Sequence, residues 1–420
     1  MQERQENILS LVRSSGSSVW LNQRGGIFVL RADTLPAADL TLLMTVARAL
    51  LSTRRGSLSQ HLRRREQPST PLAPPAQPDS GAKSTQLPPP KLGLRAPFGG
   101  FSPDGSEYII ELGPGETTPA PWSNIIANEH AGFLITERGG GYTWAENSRE
   151  NRLTPWSNDP ASDPASEGLY LRDDETGEIW SPAALPAGGG YFRVRHGFGY
   201  SAFEHTRDSI GSELRLAVPP DDPVKLIRLR LENTGDESRQ ISVTYYAEWV
   251  LGVFRDQMAP YIITEFDAET SALLAHNPYN QEFVGRVAFL ACTERDVSVS
   301  GDRLAFIGRN GDLAQPAALR APTLDGKVGA GFDPCGALRC ALTLGPGEAR
   351  ELVFLLGQGT SREAARTLIE RYRAPEAAAH AEAQSVAQWR TIVRQTEVRT
   401  PDADLNTLLN GWLLYQTLVC

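Results

Sequence analysis

The sequence predicts a mainly β protein whose bulk, residues 93–359, is a large antiparallel β-sandwich. Three observations carry that prediction. Short alternating or apolar runs recur between Gly99 and Gly357, turn-forming clusters separate them, and no long helical period lies between them. Strands joined in this way stack as antiparallel sheets.

The N-terminal part, residues 1–66, reads as a small α/β segment. Leu40, Leu43, Met44, Ala47 and Leu51 recur with helical spacing, and Pro36 sits near the start, so one amphipathic helix is expected over Leu35–Leu51. The first twenty residues are charged and polar throughout, which is no secretory signal. The stretch Leu40–Leu51 is broken by Thr41, Thr45 and Arg48 and is too short to span a bilayer, so no membrane contact is expected of this segment. Residues 67–92, rich in Pro, Ser and Gln with almost no large apolar side chain, read as a flexible, partly extended linker.

Within the sandwich the expected strands include Glu107–Leu112, Phe133–Glu137, Val224–Glu232, Ile241–Val250, Val284–Cys292, Leu338–Leu344 and Arg350–Leu356. Pro103-Asp104-Gly105, Thr234-Gly235-Asp236 and Gly345-Pro346-Gly347 punctuate them. The alternation in Lys225–Leu231 places one face in the core and leaves the other partly wet. Trp122 and Trp249 read as core aromatics, and the triglycine runs at 139–141 and 188–190 as hairpin turns, since neither has a phosphate-loop ending.

At Thr360 the period changes. Thr360-Ser361-Arg362-Glu363 reads as a capping box with the Thr360 hydroxyl as cap, opening linker helices over 360–399 that break near Pro375. Thr400-Pro401-Asp402 starts a last helix with proline at its first position, occupying 400–420. Its stripe of Leu405, Leu408, Leu409, Trp412, Leu413 and Val419 demands packing partners, which reads as the first helix of a larger helical domain.

Bulk composition narrows the function classes. With 41 basic against 50 acidic side chains the net charge is −9, and no basic run exceeds Arg63–Arg65, so nucleic acid is excluded as a partner. Four cysteines without CxxC spacing read as reduced thiols, with a Cys335–Cys340 disulfide as the lesser alternative. Six scattered histidines, with no HxH or HExxH pair, support no metal site.

The segment Gly139–Asp159, GGGYTWAENSRENRLTPWSND, is the most informative in the chain. Tyr142, Trp144 and Trp156 supply ring faces suited to the C–H faces of a pyranose, and Asn147, Arg149, Glu150 and Asn158 match its hydroxyls. Aromatics of a β-hairpin packing on their own sheet would give the same composition. Arg195-His196-Gly197-Phe198-Gly199-Tyr200 is a second constellation: its glycines permit a bend or a close approach, and Arg195 and His196 can donate to a sugar or to phosphate. From the residues alone a glycine-kinked strand with charged side chains in solvent is the stronger reading.

These segments, together with PAPWSNIIANEHAGF (Pro119–Phe133), PPDDPVKLIRLRLEN (Pro219–Asn233), YAEWVLGV (Tyr246–Val253), FIGRNGDLAQPAAL (Phe306–Leu319) and FLLGQG (Phe354–Gly359), resemble in order the C-terminal region of bacterial cyclic β-1,2-glucan synthases. That region is related to cellobiose and chitobiose phosphorylases, glycoside hydrolase family 94. The resemblance implies a galactose-mutarotase-like super-sandwich followed by an α/α toroid of which only the first helix is present. It implies an inverting phosphorylase with inorganic phosphate as co-substrate, β-glucan oligosaccharide as substrate and no cofactor. The family's general acid is an Asp on the toroid, so no catalytic residue is assigned here, and the chain alone is expected to lack phosphorolysis. The family also implies a homodimer through the sandwich and a cytoplasmic location, the parent synthase being membrane-bound through spans elsewhere. Two further readings remain: a non-catalytic carbohydrate-binding module and a dimerisation module.

Overall fold

In a computed structural model the described residues are 2–23, 25–47, 51, 52, 57 and 84–419. The chain divides into two compact units, Met1–Pro78 and Asp79–Cys420. In the first, helices Gln2–Ser14 and Ala37–Val46 are described. Pro36 is the N-cap of the second, which ends sooner than the apolar spacing implies because Ala47 turns extended. Of the proline-rich segment, 67–83 lie outside the described residues. Its remainder is fastened to the second unit: the Tyr191 amide donates to Ser84 Oγ (2.9 Å), the Thr85 amide to the Thr206 carbonyl (3.2 Å), and Arg193 to the Pro88 carbonyl.

The second unit is built from three sheets. The largest has eleven strands in the order β1 (Arg95–Ala96), β2 (Gly99–Phe101), β3 (Glu107–Leu112), β9 (Phe192–Gly197), β10 (Tyr200–Arg207), β11 (Ile210–Ala217), β12 (Val224–Asn233), β19 (Ala349–Gly359), β16 (Val287–Cys292), β15 (Ala272–His276) and β14 (Ile263–Asp267). A five-stranded sheet runs β17 (Ser298–Asp302), β18 (Pro334–Leu344), β13 (Arg239–Glu248), β7 (Glu167–Asp173) and β8 (Ile179–Trp180). The third holds β4 (Ser123–Ala127), β5 (Ala131–Thr136) and β6 (Gly141–Ala145). The pairings within these sheets are antiparallel. One continuous apolar core draws Val194, Phe203, Ile227, Leu229 and Phe354 from the large sheet, Leu171, Val243 and Leu338 from the five-stranded sheet, and Phe133 and Ile135 from the small one. The mainly β sandwich expected from sequence is therefore the fold.

Alternation along β12 works as anticipated at Ile227, Leu229 and Leu231, which enter that core. Its other face is not uniformly wet. Val224 and Leu226 join Leu274, Phe289, Val353 and Leu355 in a second core beneath helices Arg362–Tyr372 and Pro375–Val393, which contribute Ala365, Leu368, Ile369 and Ala378. Glu382, buried in the second helix, accepts from Arg215 of β11 (2.7 Å) and Arg228 of β12 (2.6 Å), and so bolts the helix to the sheet.

Two helix starts lie one or two residues further on than the sequence implies. Ser361, not Thr360, is the first cap, accepting from the Ala364 amide. Asp402, not Thr400, is the second, accepting from the Asp404 and Leu405 amides, because Thr400 Oγ1 already receives the Asp402 amide. The last helix carries a π-turn at Leu408–Trp412 between Ala403–Thr407 and Leu413–Val419. Part of its apolar stripe has a partner within the chain: Tyr415 is fully buried with Phe198 and Val393, and Trp412, Leu414 and Val419 pack against them. Leu405, Leu413 and Leu418 are exposed. Cys292, Cys335 and Cys340 are free, buried thiols. Among the described residues no helix is long and apolar enough to cross a membrane.

Candidate functional site

Strand β6 explains where the aromatics go. Successive side chains of a strand face opposite ways, so Thr143 and Ala145 turn inward and are buried while Tyr142 and Trp144 share the other, half-buried face. The Trp144 indole lies across from Gly132 in β5, where a Cβ would come within 2.3 Å of it. Trp156 returns from the following loop onto Tyr142. The three rings form a row, Trp144–Tyr142 at 5.3 Å and Tyr142–Trp156 at 5.0 Å between centroids, each tilted by 37°. The Arg152 guanidinium lies 5.5 Å from the Tyr142 centroid, a cation–π placement. Burial pushes the Tyr142 hydroxyl above its usual range.

The polar residues of the segment fall into distinct roles. Asn147 Oδ1 accepts from the Arg149 and Glu150 amides (2.9 Å each), so its carboxamide shapes the turn at the tip. Arg149 and Glu150 form a loose ion pair (3.4 Å) on the surface. Asn158 is exposed in a left-handed conformation (φ 48°) and lines a cleft beside Trp156. Sequence proximity therefore does bring Tyr142, Trp144, Trp156 and Asn158 to one region, with Asn147 as scaffolding.

Arg195 and His196 are placed otherwise. Arg195 lies among three carboxylates of neighbouring strands, Glu213 (2.9 Å), Glu204 (2.9 Å) and Glu107 (3.5 Å). His196 is only 2 % exposed. Its Nε2 donates to the Trp122 carbonyl (3.3 Å), since a carbonyl only accepts, which leaves Nδ1 to accept from Ser201 Oγ (2.8 Å). Burial, against a smaller opposing effect of the Trp122 carbonyl, lowers its pKa to about 4. His196 is enclosed with both ring nitrogens partnered, while Arg195, its side chain 23 % exposed, is held among carboxylates, so the pair is placed as scaffold within this chain and away from the aromatic row. What Gly199 admits is the chain's own helix Pro375–Val393: it has φ +82°, and a Cβ there would meet Trp389 Cδ1 at 2.5 Å, whereas Gly197 makes room for the Tyr200 ring. Tyr415 completes the seat, accepting from the Gly199 amide (3.1 Å) and donating to the Ile125 carbonyl (2.7 Å).

Sequence reading missed Asp163. A cleft of about 700 Å³, open to solvent, lies between the 120–123 segment with β5 and the 156–164 loop. Pro121, Leu134, Trp156 and Pro164 supply apolar wall, and Ser123, Thr136, Asn158 and Asp163 supply polar groups. Asp163 is 6 % exposed and accepts from Thr136 Oγ1 at 2.7 Å. Burial lifts its pKa above the usual carboxylate range despite that hydrogen bond. An Asp within NDPASDP reads as ordinary turn sequence, so nothing local marks it out.

The other carboxylates nearby are occupied. Asp159 caps the turn through the Ala161 and Ser162 amides, Glu146 pairs with Arg286 (3.0 Å), and Glu137 accepts from Thr118 Oγ1 and the Trp122 amide. The arrangement brings together three mutually packed, half-buried rings, the Arg152 cation over one of them, and a cleft whose carboxylate also feels Arg138, groups that can meet a neutral polyhydroxylated ligand.

Comparison with known proteins agrees with this fold. Residues 106–375 match the supersandwich domain of glycosyl hydrolase 94. The chain is 34% identical over 411 residues to a cyclic beta-(1,2)-glucan synthase of Rhizobium meliloti, covering 94% of this chain and 14% of that protein. It is 29% identical over 332 residues to an N,N'-diacetylchitobiose phosphorylase of Vibrio furnissii, covering 77% and 41%. Among solved structures, a putative kojibiose phosphorylase from human microbiome is similar at 9% identity and TM-score 0.43, covering 77% and 43%. The chain thus spans less than half the length of these relatives. Since the matched domain makes up most of the sequence and coincides with the three-sheet body, the chain belongs to the glycosyl hydrolase 94 family, as a bearer of its supersandwich domain.

Proposed function

We propose that this chain is the sandwich part of a glycan phosphorylase or synthase module acting on β-linked glucan, in particular the β-1,2-linked chain, and that the row Trp144–Tyr142–Trp156 faces that glucan. The observation that carries the reading is the row itself, three half-buried rings outside the main core beside an open cleft. The relatives named as a glucan synthase and a disaccharide phosphorylase support the substrate class. On this reading inorganic phosphate is the co-substrate of the parent module, no cofactor is used, and the sandwich pairs with a second copy on the cytoplasmic side. The general acid comes from outside this chain, in keeping with Asp159, Glu150 and Glu248 being engaged in a turn or in ion pairs.

That engagement also favours the second reading, a non-catalytic glycan-binding or dimerisation module. Titration with linear β-1,2-gluco-oligosaccharides, read by tryptophan fluorescence, tests the shared core of both. The expected result is a saturable change lost in Trp144→Ala and Trp156→Ala; no change at millimolar oligosaccharide in the folded protein removes the glucan-facing role. Phosphate-dependent release of glucose 1-phosphate by the chain alone would refute the assignment of the acid elsewhere.

A further inference from the structure

We propose that the cleft beside Trp156 is a subsite for a single glucose unit at a chain end, with Asp163 as the acceptor of its hydroxyl protons. The inference rests on the glucan-facing reading of the aromatic row and adds a residue, a place and a mode of binding to it.

The carboxylate is held rather than merely present. Asp163 itself adopts φ 45°, a left-handed conformation uncommon for a residue with a side chain, and its amide donates to the Asp159 carbonyl (3.0 Å). The Asp159 carboxylate pins the intervening turn through the Ala161 and Ser162 amides and Ser162 Oγ. On the other side, Thr136 Oγ1 receives the Gly140 amide (2.9 Å) and gives its proton to Asp163 Oδ2 (2.7 Å). Gly140 is required there: a Cβ would fall 2.3 Å from Asp163 Oδ1. A strained residue, a capped turn and a cleared backbone thus converge on one carboxyl group.

Its second oxygen, Oδ1, has no hydrogen-bond donor among the described residues, and the residue lines the cleft. A carboxylate is an acceptor only, and in a partly desolvated site it attracts O–H donors strongly. A phosphate or other anion is disfavoured beside it, whereas adjacent hydroxyls of a pyranose fit. The Trp156 indole and the Pro121 and Pro164 rings give the apolar walls that the C–H faces need, and Ser123 and Asn158 stand at the cleft as further polar partners. Trp156 also belongs to the row, so a chain lying on Trp144 and Tyr142 can end in the cleft.

Calorimetric titration with the β-1,2-linked glucose disaccharide and its longer linear homologues tests the assignment. Asp163→Asn is expected to weaken binding at least tenfold, with Trp156→Ala weakening it too. Ser123→Trp, at an exposed β4 position opposite Thr136 whose own side chain takes no part in the hydrogen bonds to Asp163, is expected to block the cleft with a similar loss and covers the case in which Asp163→Asn does not fold. Binding within twofold of the parent protein in Asp163→Asn, or in Ser123→Trp, together with loss in Trp156→Ala, overturns the subsite while leaving the aromatic platform standing. Absence of binding by the unaltered protein overturns both.

Discussion

Lys225 Nζ lies 2.6 Å from Glu167 Oε2 inside the sandwich, an ion pair shielded from water and joining β12 to β7. The pair is fully dressed: Glu167 Oε1 accepts from Thr143 and Thr154 Oγ1 (2.6 Å each), Oε2 also accepts from the Tyr245 hydroxyl (2.6 Å), and the ammonium sits 4.4 Å from the Phe133 ring centroid. Burial opposes the Glu167 charge, yet the ammonium and hydroxyls outweigh it and hold the carboxyl below its usual range. One cluster thereby links all three sheets.

Removing one member should therefore cost more than removing both. Lys225→Met is expected to lose about 3 to 5 kcal/mol, because an unpaired buried carboxylate remains. Adding Glu167→Gln should recover part of that loss, and urea unfolding of the two single variants and the double variant measures the coupling.

Gly199→Ala should disturb Trp389 of helix Pro375–Val393 and, through the Trp389–Tyr415 ring contact and the Gly199–Tyr415 hydrogen bond, loosen the last helix. The substitution meets both an unfavourable φ and the Trp389 ring, for a loss of about 1 to 3 kcal/mol. Hydrogen exchange over 403–419 should rise more than over the sandwich strands; equal protection in both proteins would contradict the seating of that helix on the β9–β10 turn.

Acid should destabilise the protein through two histidines. His196 and His205 are buried, and burial lowers each pKa from 6.5 to about 4. Between those values the unfolded chain takes up protons that the folded chain refuses. Stability is therefore full above about pH 6.5 and falls as pH drops towards 4, by up to roughly 1.4 kcal/mol per pH unit for each histidine. Thermal melts across this window, repeated with His196→Gln, should show a shallower slope in the variant.

Arg195→Met separates scaffold from site. Leaving Glu107, Glu204 and Glu213 without their shared cation should cost about 1 to 3 kcal/mol. The fluorescence response to β-1,2-gluco-oligosaccharide should be unchanged; its loss would restore Arg195 to the binding surface.

Local pattern told much of this fold and little of its wiring. Glu107–Leu112 reads as a strand and is one, and the ends of Val224–Asn233 fall within a residue of their expected place, because alternation reports which face is buried. That β12 pairs with β19, more than a hundred residues away, has no local signature. The aromatic segment was legible because a strand and its return loop keep Tyr142, Trp144 and Trp156 close in space. The hairpin at Arg195–Tyr200 shows a limit of local pattern: a glycine such as Gly199 announces that something comes near, not whether it is a ligand or Trp389. Asp163 stayed hidden since its meaning depends on Thr136 and Gly140, contributed by another strand and turn.

The helical cover on β12, β16 and β19 has a practical corollary. A shortened protein stopping at Gly359 would lay bare Leu226, Phe289, Val353 and Leu355 as a contiguous oily strip in the middle of its largest sheet. Such a strip invites self-association, so the smallest well-behaved version of this body extends through Val393, where Pro375–Val393 ends and Glu382 has already clasped Arg215 and Arg228.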